Sequence, residues 1–129
     1  MIFVDSSLII AMVLTKDQWH QKAVQLIKKI NNEEKVISDL MVAESITSIG
    51  DRKGGKEAIN IFNYLQDNFT VISTDFEFLK SIKRQYLKYD GTLSIADTSA
   101  VEIMKNMKIT QIASFDRDFD KVEGIVRIH

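Results

Sequence analysis

Four acidic residues stand where apolar runs break off. Asp5 follows Ile2-Phe3-Val4, Glu44 falls among Leu40, Met41, Val42, Ala43 and Ile46, Asp97 follows Leu93-Ser94-Ile95-Ala96, and Asp116 follows Ala113-Ser114-Phe115. Carboxylates gathered in one place repel and resist joint ionisation unless a cation compensates them. Hard oxygen ligands select magnesium or manganese over zinc or copper. An ion held this way engages phosphate oxygens, activates a water and stabilises charge on a phosphoryl group. The chemistry these residues could do together is therefore hydrolysis of a phosphate ester. The residue types alone do not distinguish RNA from other phosphate esters.

Each acid also has a simpler local explanation. Asp5 can cap a helix over Leu8–Leu14, and Asp116 has the character of a turn-forming aspartate. Ser94-Ile95-Ala96-Asp97 has the form of a capping box. Yet Asp97 stacks with Ala100, Val101 and Met104 at i+3, i+4 and i+7, on the inward stripe of its helix. A carboxylate buried there without a partner is costly, and a cation resolves that cost. Glu44 sits at the rim of an apolar helix face. Asp118 is a candidate auxiliary acid, and Asp120 is expected to be a surface residue.

The elements that must position these residues are legible from apolar patterning. Five short segments, Ile2–Val4, Val36–Ser38, Thr70–Ser73, Gln111–Ser114 and Ile125–Ile128, have the uniform apolar character of strands covered on both faces. Helical patterns cover Trp19–Asn31, Leu40–Ile49, Lys56–Asp67, Phe76–Lys88 and Ile95–Met107. Strands alternating with helices imply right-handed crossovers and a parallel sheet. The expected fold class is α/β: a three-layer α/β/α sandwich around a mostly parallel five-stranded sheet, in one domain spanning 1–129. In open sheets of this kind ligands bind beyond the carboxyl ends of the strands. Asp5 and Asp116 follow strands, while Glu44 and Asp97 lie early in helices, so all four acids are expected at that edge.

Composition bounds the remaining possibilities. The chain has 129 residues with 45% hydrophobic and 27% charged residues, enough for a core and a solvated surface. It has no cysteine, which excludes disulfides and thiolate zinc sites and is compatible with a reducing cytoplasm. No apolar run approaches the roughly 20 residues of a membrane span, and the N-terminus lacks the basic start of a signal peptide. The expectation is a cytoplasmic protein without a membrane association. The formal net charge of −1 means that any nucleic-acid contact must come from local patches. Two are candidates for RNA: Arg52, Lys53 and Lys56 in a flexible basic turn, and Lys80, Lys83, Arg84 and Lys88 on a helix. Gly50 to Lys56 imitates a phosphate-binding loop, but Glu57 stands where that motif needs a hydroxyl, and a helix precedes it instead of a strand.

Taken together, the opening Met-Ile-Phe-Val-Asp5-Ser-Ser, Glu44 after the second strand, Leu93-Ser-Ile-Ala-Asp97 and Ala113-Ser-Phe-Asp116-Arg-Asp-Phe119 resemble the PIN-domain family, and within it the VapC-type toxin ribonucleases. The resemblance spans almost the whole chain. It implies an endoribonuclease dependent on Mg2+ (or Mn2+), the toxin of a toxin–antitoxin pair. It implies Asp5, Glu44, Asp97 and Asp116 as catalytic acids, with Asp5 and Asp97 as direct metal ligands and Glu44 and Asp116 as further candidates. It also implies supporting roles for Ser6 and Ser94, a homodimer, and a small protein antitoxin as partner. Two other classes compete: a receiver-like signalling domain, which also gathers acids at a sheet edge, and a non-catalytic PIN module that binds RNA or protein.

Overall fold

A computed structural model describes all 129 residues. Strands β1 (Ile2–Val4), β2 (Lys35–Ser38), β3 (Thr70–Ile72), β4 (Gln111–Ala113) and β5 (Val126–Ile128) form one sheet in the order β3-β2-β1-β4-β5. Every pairing is parallel, so the sheet is wholly parallel. Helices α1 (Ser6–Val13) and α2 (His20–Lys29) connect β1 to β2, and α3 (Asp39–Lys53) and α4 (Gly55–Asn68) connect β2 to β3. Helices α5 (Phe76–Ser81), α6 (Lys83–Lys88) and α7 (Ile95–Met107) lead back to β4, and a 3-10 turn at Arg117–Lys121 precedes β5.

This order decides where ligands can bind. The chain steps outward from β1 through β2 to β3, then crosses back to β4 on the far side of β1. Right-handed crossovers in opposite directions place α1–α4 on one face and α5–α7 on the other, giving the three-layer sandwich. The reversal falls between β1 and β4, and a crevice opens at the carboxyl ends of strands at such a switch point. Receiver-like domains have the strand order 2-1-3-4-5. The observed order differs, so the receiver-like alternative fails on topology.

The core explains why the strands read as strands. β1 is fully buried, as are most of β2 and β4, with Phe3, Val4, Ile37 and Ile112 in a cluster that Leu8, Met41, Leu65, Met104 and Phe119 complete from the helices and turn. The edges depart from the expectation of strands covered on both faces. Thr70 and Val71 in β3 and Val126 in β5 are exposed.

Two helical expectations need correction. The segment Phe76–Lys88 is two helices rather than one. Ile82 breaks it: this residue is fully buried, and its N–H bonds the carbonyl of Leu79, three residues back. No other residue of the segment is fully buried, so the break falls at the segment's one fully buried side chain. The basic turn at Gly50–Lys56 is also mostly helical. α3 runs on through Lys53, and only Gly54, at φ 87°, lies outside a helix. That left-handed conformation suits a residue without a Cβ.

Candidate active site

Asp5 is the centre of the arrangement. It follows β1 directly and is only 3% exposed. Its N–H bonds the Ala113 carbonyl of β4 at 3.1 Å, which fixes it at the switch point. Two hydroxyls converge on one of its oxygens: Ser7 Oγ donates to Oδ2 at 2.6 Å and Ser114 Oγ donates to the same atom at 2.7 Å. The side chain does not cap α1, so the simple capping reading of Asp5 fails. Burial pushes its carboxyl above the usual range, the two serine bonds pull it down, and the charge of Asp116 raises it further.

Asp116 follows β4 across Ser114 and Phe115. Its N–H donates to Ser114 Oγ at 3.0 Å, and its Oδ1 accepts from the Asp118 N–H at 2.9 Å, capping the 3-10 turn. Ser114 therefore bonds both Asp5 and Asp116. The Phe115 N–H donates to Ser7 Oγ at 3.0 Å, closing a loop of bonds between the ends of β1 and β4. Phe115 itself stacks on Trp19, with ring centres 5.4 Å apart. Asp118 pairs with Lys121 at 3.1 Å.

The other two acids come from helices. Asp97 and Ser94 form the expected capping box: the Asp97 N–H donates to Ser94 Oγ at 3.0 Å, and the Ser94 N–H donates to Asp97 Oδ2 at 3.1 Å. Asp97 is half-buried, and its pKa is raised from 3.8 to about 7, by desolvation first and by the charge of Asp5 second; the Ser94 bonds oppose the rise and Asp116 adds to it. The cap and the inward placement thus hold together. Glu44 lies on the exposed side of α3 and bonds no other side chain, yet burial of its flank and then the charge of Asp5 raise its carboxyl. It borders a hollow of about 470 Å³ lined also by Ile10, Leu40, Ala43 and Ile95.

The charge of Asp5 thus acts on Glu44 and Asp97, that of Asp116 acts on Asp5 and Asp97, and none of the four is paired with a lysine, arginine or histidine. They do not form a closed ligand set: no three acidic or histidine side chains are grouped as a metal cluster. Mutual repulsion works against such closure in the absence of a cation. Magnesium commonly uses only one or two carboxylates and keeps several waters. A nine-tenths buried carboxylate without a cationic partner, beside three more acids, therefore fits that ion in donor type and charge.

Sequence reading missed Ser7 and Ser114. It named Ser6, which is buried but makes none of the bonds to Asp5. Ser114 was visible as the last residue of the expected strand Gln111–Ser114, at the carboxyl edge of the sheet. Nothing local separates Ser7 from Ser6, because the choice depends on the twist of the first turn. Asp39 is another acid at this edge, but its oxygens accept from the Leu40 N–H and from the Thr74 N–H and hydroxyl, all at 2.9 Å. It ties α3 to the end of β3. It also borders an apolar groove of about 420 Å³ between α3, α4 and β3, which holds no other acid. His20 bonds the Ala11 carbonyl through Nδ1 at 2.8 Å, a structural role.

The basic candidates do not gather around the acids. Arg52, Lys53 and Lys56 are exposed at the tip of the α3–α4 hairpin. Lys80, at the end of α5, pairs with Glu77 at 2.7 Å, while Lys83 and Arg84 lie past the break on α6. Lys88 lines a hollow with Lys105, Lys108 and Thr110, where β4 begins, at the opposite edge of the sheet from Asp5. The break at Ile82 sets Lys80 apart from Lys83, Arg84 and Lys88, which stay together on α6.

A wholly parallel α/β sandwich with carboxylates gathered at its switch point defines a class of acidic-site domains. The PIN domain family model matches residues 2–125, and the chain belongs to that family. Among solved structures, VapC20 from Mycobacterium tuberculosis, a sarcin–ricin loop cleaving toxin, is similar with a TM-score of 0.86 and 21% identity over 99% of this chain and 98% of that one. FitAcB from Neisseria gonorrhoeae is similar with a TM-score of 0.71 and 18% identity over 100% of this chain and 97% of that one. At these identities the likeness concerns the fold. Comparison with curated protein sequences finds no match.

Proposed function

We propose that this protein is a magnesium- or manganese-dependent endoribonuclease that hydrolyses RNA phosphodiester bonds, and that it acts as the toxin of a toxin–antitoxin pair. What supports the reading is that Asp5 and Asp116 follow adjacent strands and are tied through Ser114, that Glu44 and Asp97 lie early in helices that start from the same sheet edge, and that none of the four is paired with a protein cation. Asp5 and Asp97 are the proposed direct ligands, with Glu44 and Asp116 completing the site directly or through water. Such an ion, when bound, supplies Lewis acidity and an activated water for attack on phosphorus. Ser7 and Ser114 hold Asp5 in place, Ser94 holds Asp97, and Asp116 stays tied to Ser114.

Membership of the PIN family and likeness to a toxin support the substrate and the biological role. An antitoxin and a second copy of the chain are the proposed protein partners. Exposed apolar side chains such as Phe62, Phe76 and Leu87 supply material for such interfaces. No helix is long and apolar enough to cross a membrane, and the proposed location is the cytoplasm.

The test is Asp97→Asn. It keeps the capping geometry and removes a charge, so magnesium-dependent cleavage of structured RNA is expected to vanish while the circular dichroism spectrum stays native. Full cleavage by well-purified Asp97→Asn protein overturns the proposal.

A further inference from the structure

Close to the acids sits a guanidinium that the preceding roles do not use. Arg127 lies on β5, with its side chain only 9% exposed. Its Nε donates to Asp120 Oδ1 at 2.9 Å and its Nη2 donates to Asp120 Oδ2 at 3.0 Å, a two-pronged pair. The remaining arm, Nη1, donates to the Ser114 carbonyl at 3.2 Å. A rigid planar fork of this kind fixes orientation as well as supplying energy.

Ser114 is where that grip matters. β4 ends at Ala113, so the Ser114 carbonyl has left the regular part of the strand. Its N–H still bonds the Ile128 carbonyl at 3.1 Å, its own carbonyl accepts from Arg127, and its hydroxyl serves both Asp5 and the Asp116 N–H. Asp120, the other end of the grip, belongs to the 3-10 turn that Asp116 caps. Arg127 thus ties Ser114 and Asp120 to β5, and Asp116 lies between the two ties.

We propose that Arg127 is a positioning residue for the acidic site: by clamping Ser114 and Asp120 to β5 it sets the separation of Asp5 and Asp116, and with it the affinity for a divalent ion. Arg127 bonds none of the four acids, so it acts through Ser114 and the turn. The inference rests on the metal-site reading given above. Groups that orient ligands from behind commonly contribute about 10- to 100-fold in metal affinity.

The experiment measures Mn2+ binding by titration calorimetry on the whole protein without RNA, alongside thermal melting. Arg127→Met is expected to weaken Mn2+ binding about tenfold, within the range for such supporting groups. Arg127→Lys is expected to fall between it and the unaltered protein, because an ammonium cannot reproduce the fork. Asp120→Ala changes a half-exposed carboxylate and is expected to weaken binding several-fold in the same direction. If Arg127→Met does not fold, Asp120→Ala and Arg127→Lys carry the test. A lowered melting temperature with unchanged Mn2+ affinity overturns the positioning role and leaves the metal site standing. Failure of the unaltered protein to bind Mn2+ overturns the metal-site reading, and this inference with it.

Discussion

The two halves of the acidic site are built in different ways. Asp5 and Asp116 stand at the ends of adjacent strands, and Ser7, Ser114 and the Phe115 N–H knit them into one hydrogen-bonded unit. Glu44 and Asp97 ride on helices from opposite layers. Asp97 is held only by its own cap, and Glu44 bonds no other side chain. The strand half is tied together across the sheet, whereas the helix half has only the local Ser94 cap on Asp97 and no side-chain bond on Glu44. Such a division would suit the proposed ion, which is exacting about geometry but keeps some of its water.

The largest effect is expected where the strand half is broken chemically. Asp5→Asn should reduce cleavage about 100-fold or more, several kcal/mol of lost transition-state stabilisation. Without metal, however, its melting temperature should hold or rise. The carboxylate is raised by burial, so neutralising it removes a desolvation cost, while both serines can still donate to the amide oxygen. Glu44→Gln should cost only about tenfold, felt chiefly as a higher magnesium requirement, because Glu44 lies on the exposed side of α3. RNA-cleavage assays across a magnesium series separate the two. Equal losses in both variants would erase the distinction between the two halves.

A pH series sharpens the same contrast. The Asp97 pKa rises from 3.8 to about 7 on folding. Between those values the unfolded chain releases a proton that the folded chain keeps, so stability falls as pH rises from about 4 to about 7. Asp5 and Glu44 shift in the same direction. Chelator-treated protein should therefore melt at lower temperature as pH rises through that window, and Asp97→Asn should flatten the trend. Magnesium should restore the melting temperature most at the high end, where the carboxylates proposed to bind it are charged. A flat profile for the chelated protein would mean that these acids do not share a desolvated site.

Next in size come the serines. Ser114→Ala removes a donor from buried Asp5 and the acceptor of the Asp116 N–H, at a cost of about 1–3 kcal/mol in stability and a clear loss of cleavage. Ser94→Ala removes a helix cap, about 1 kcal/mol, with a smaller loss of cleavage. Urea melts and cleavage rates on the two variants rank the halves directly. If Ser94→Ala proves the more damaging to cleavage, the helix half is the better organised of the two.

Much of this was legible beforehand, for a definite reason. The five strands and the edge carrying the acids follow from short apolar runs and from chain topology, and both survive small errors in element ends. Asp97 could be placed because its capping role and its inward stripe are both local patterns. Ser7 and Arg127 were not legible, because their roles depend on contacts with β4 and the following turn, more than a hundred residues away for Ser7 and across a strand pair for Arg127. The break at Ile82 was hidden for a similar reason. Helical periodicity continues through it in the sequence, and the break falls at a side chain whose full burial only the folded chain reveals.

The smallest expected effect concerns the basic residues, which are spread along the α5–α6 pair. Lys83 and Arg84 lie on α6, exposed, and Lys80 stands just before the break, while Lys88 faces the opposite sheet edge. Phosphate contacts by lysine and arginine make binding depend on salt. If RNA passes along the start of this helix pair to reach the acids, charge reversal at Lys80, Lys83 and Arg84 should raise KM by a factor of a few, on the order expected for lost phosphate contacts. It should also flatten the salt dependence while leaving kcat near its original value. Lys88→Glu should do neither, because a strand running to the Asp5 edge does not pass the beginning of β4. Steady-state cleavage at several salt concentrations reads both variants. An effect of Lys88→Glu as large as that of the triple reversal would mean that RNA wraps the whole length of the sheet, so that the site is reached from its far end as well as its near one.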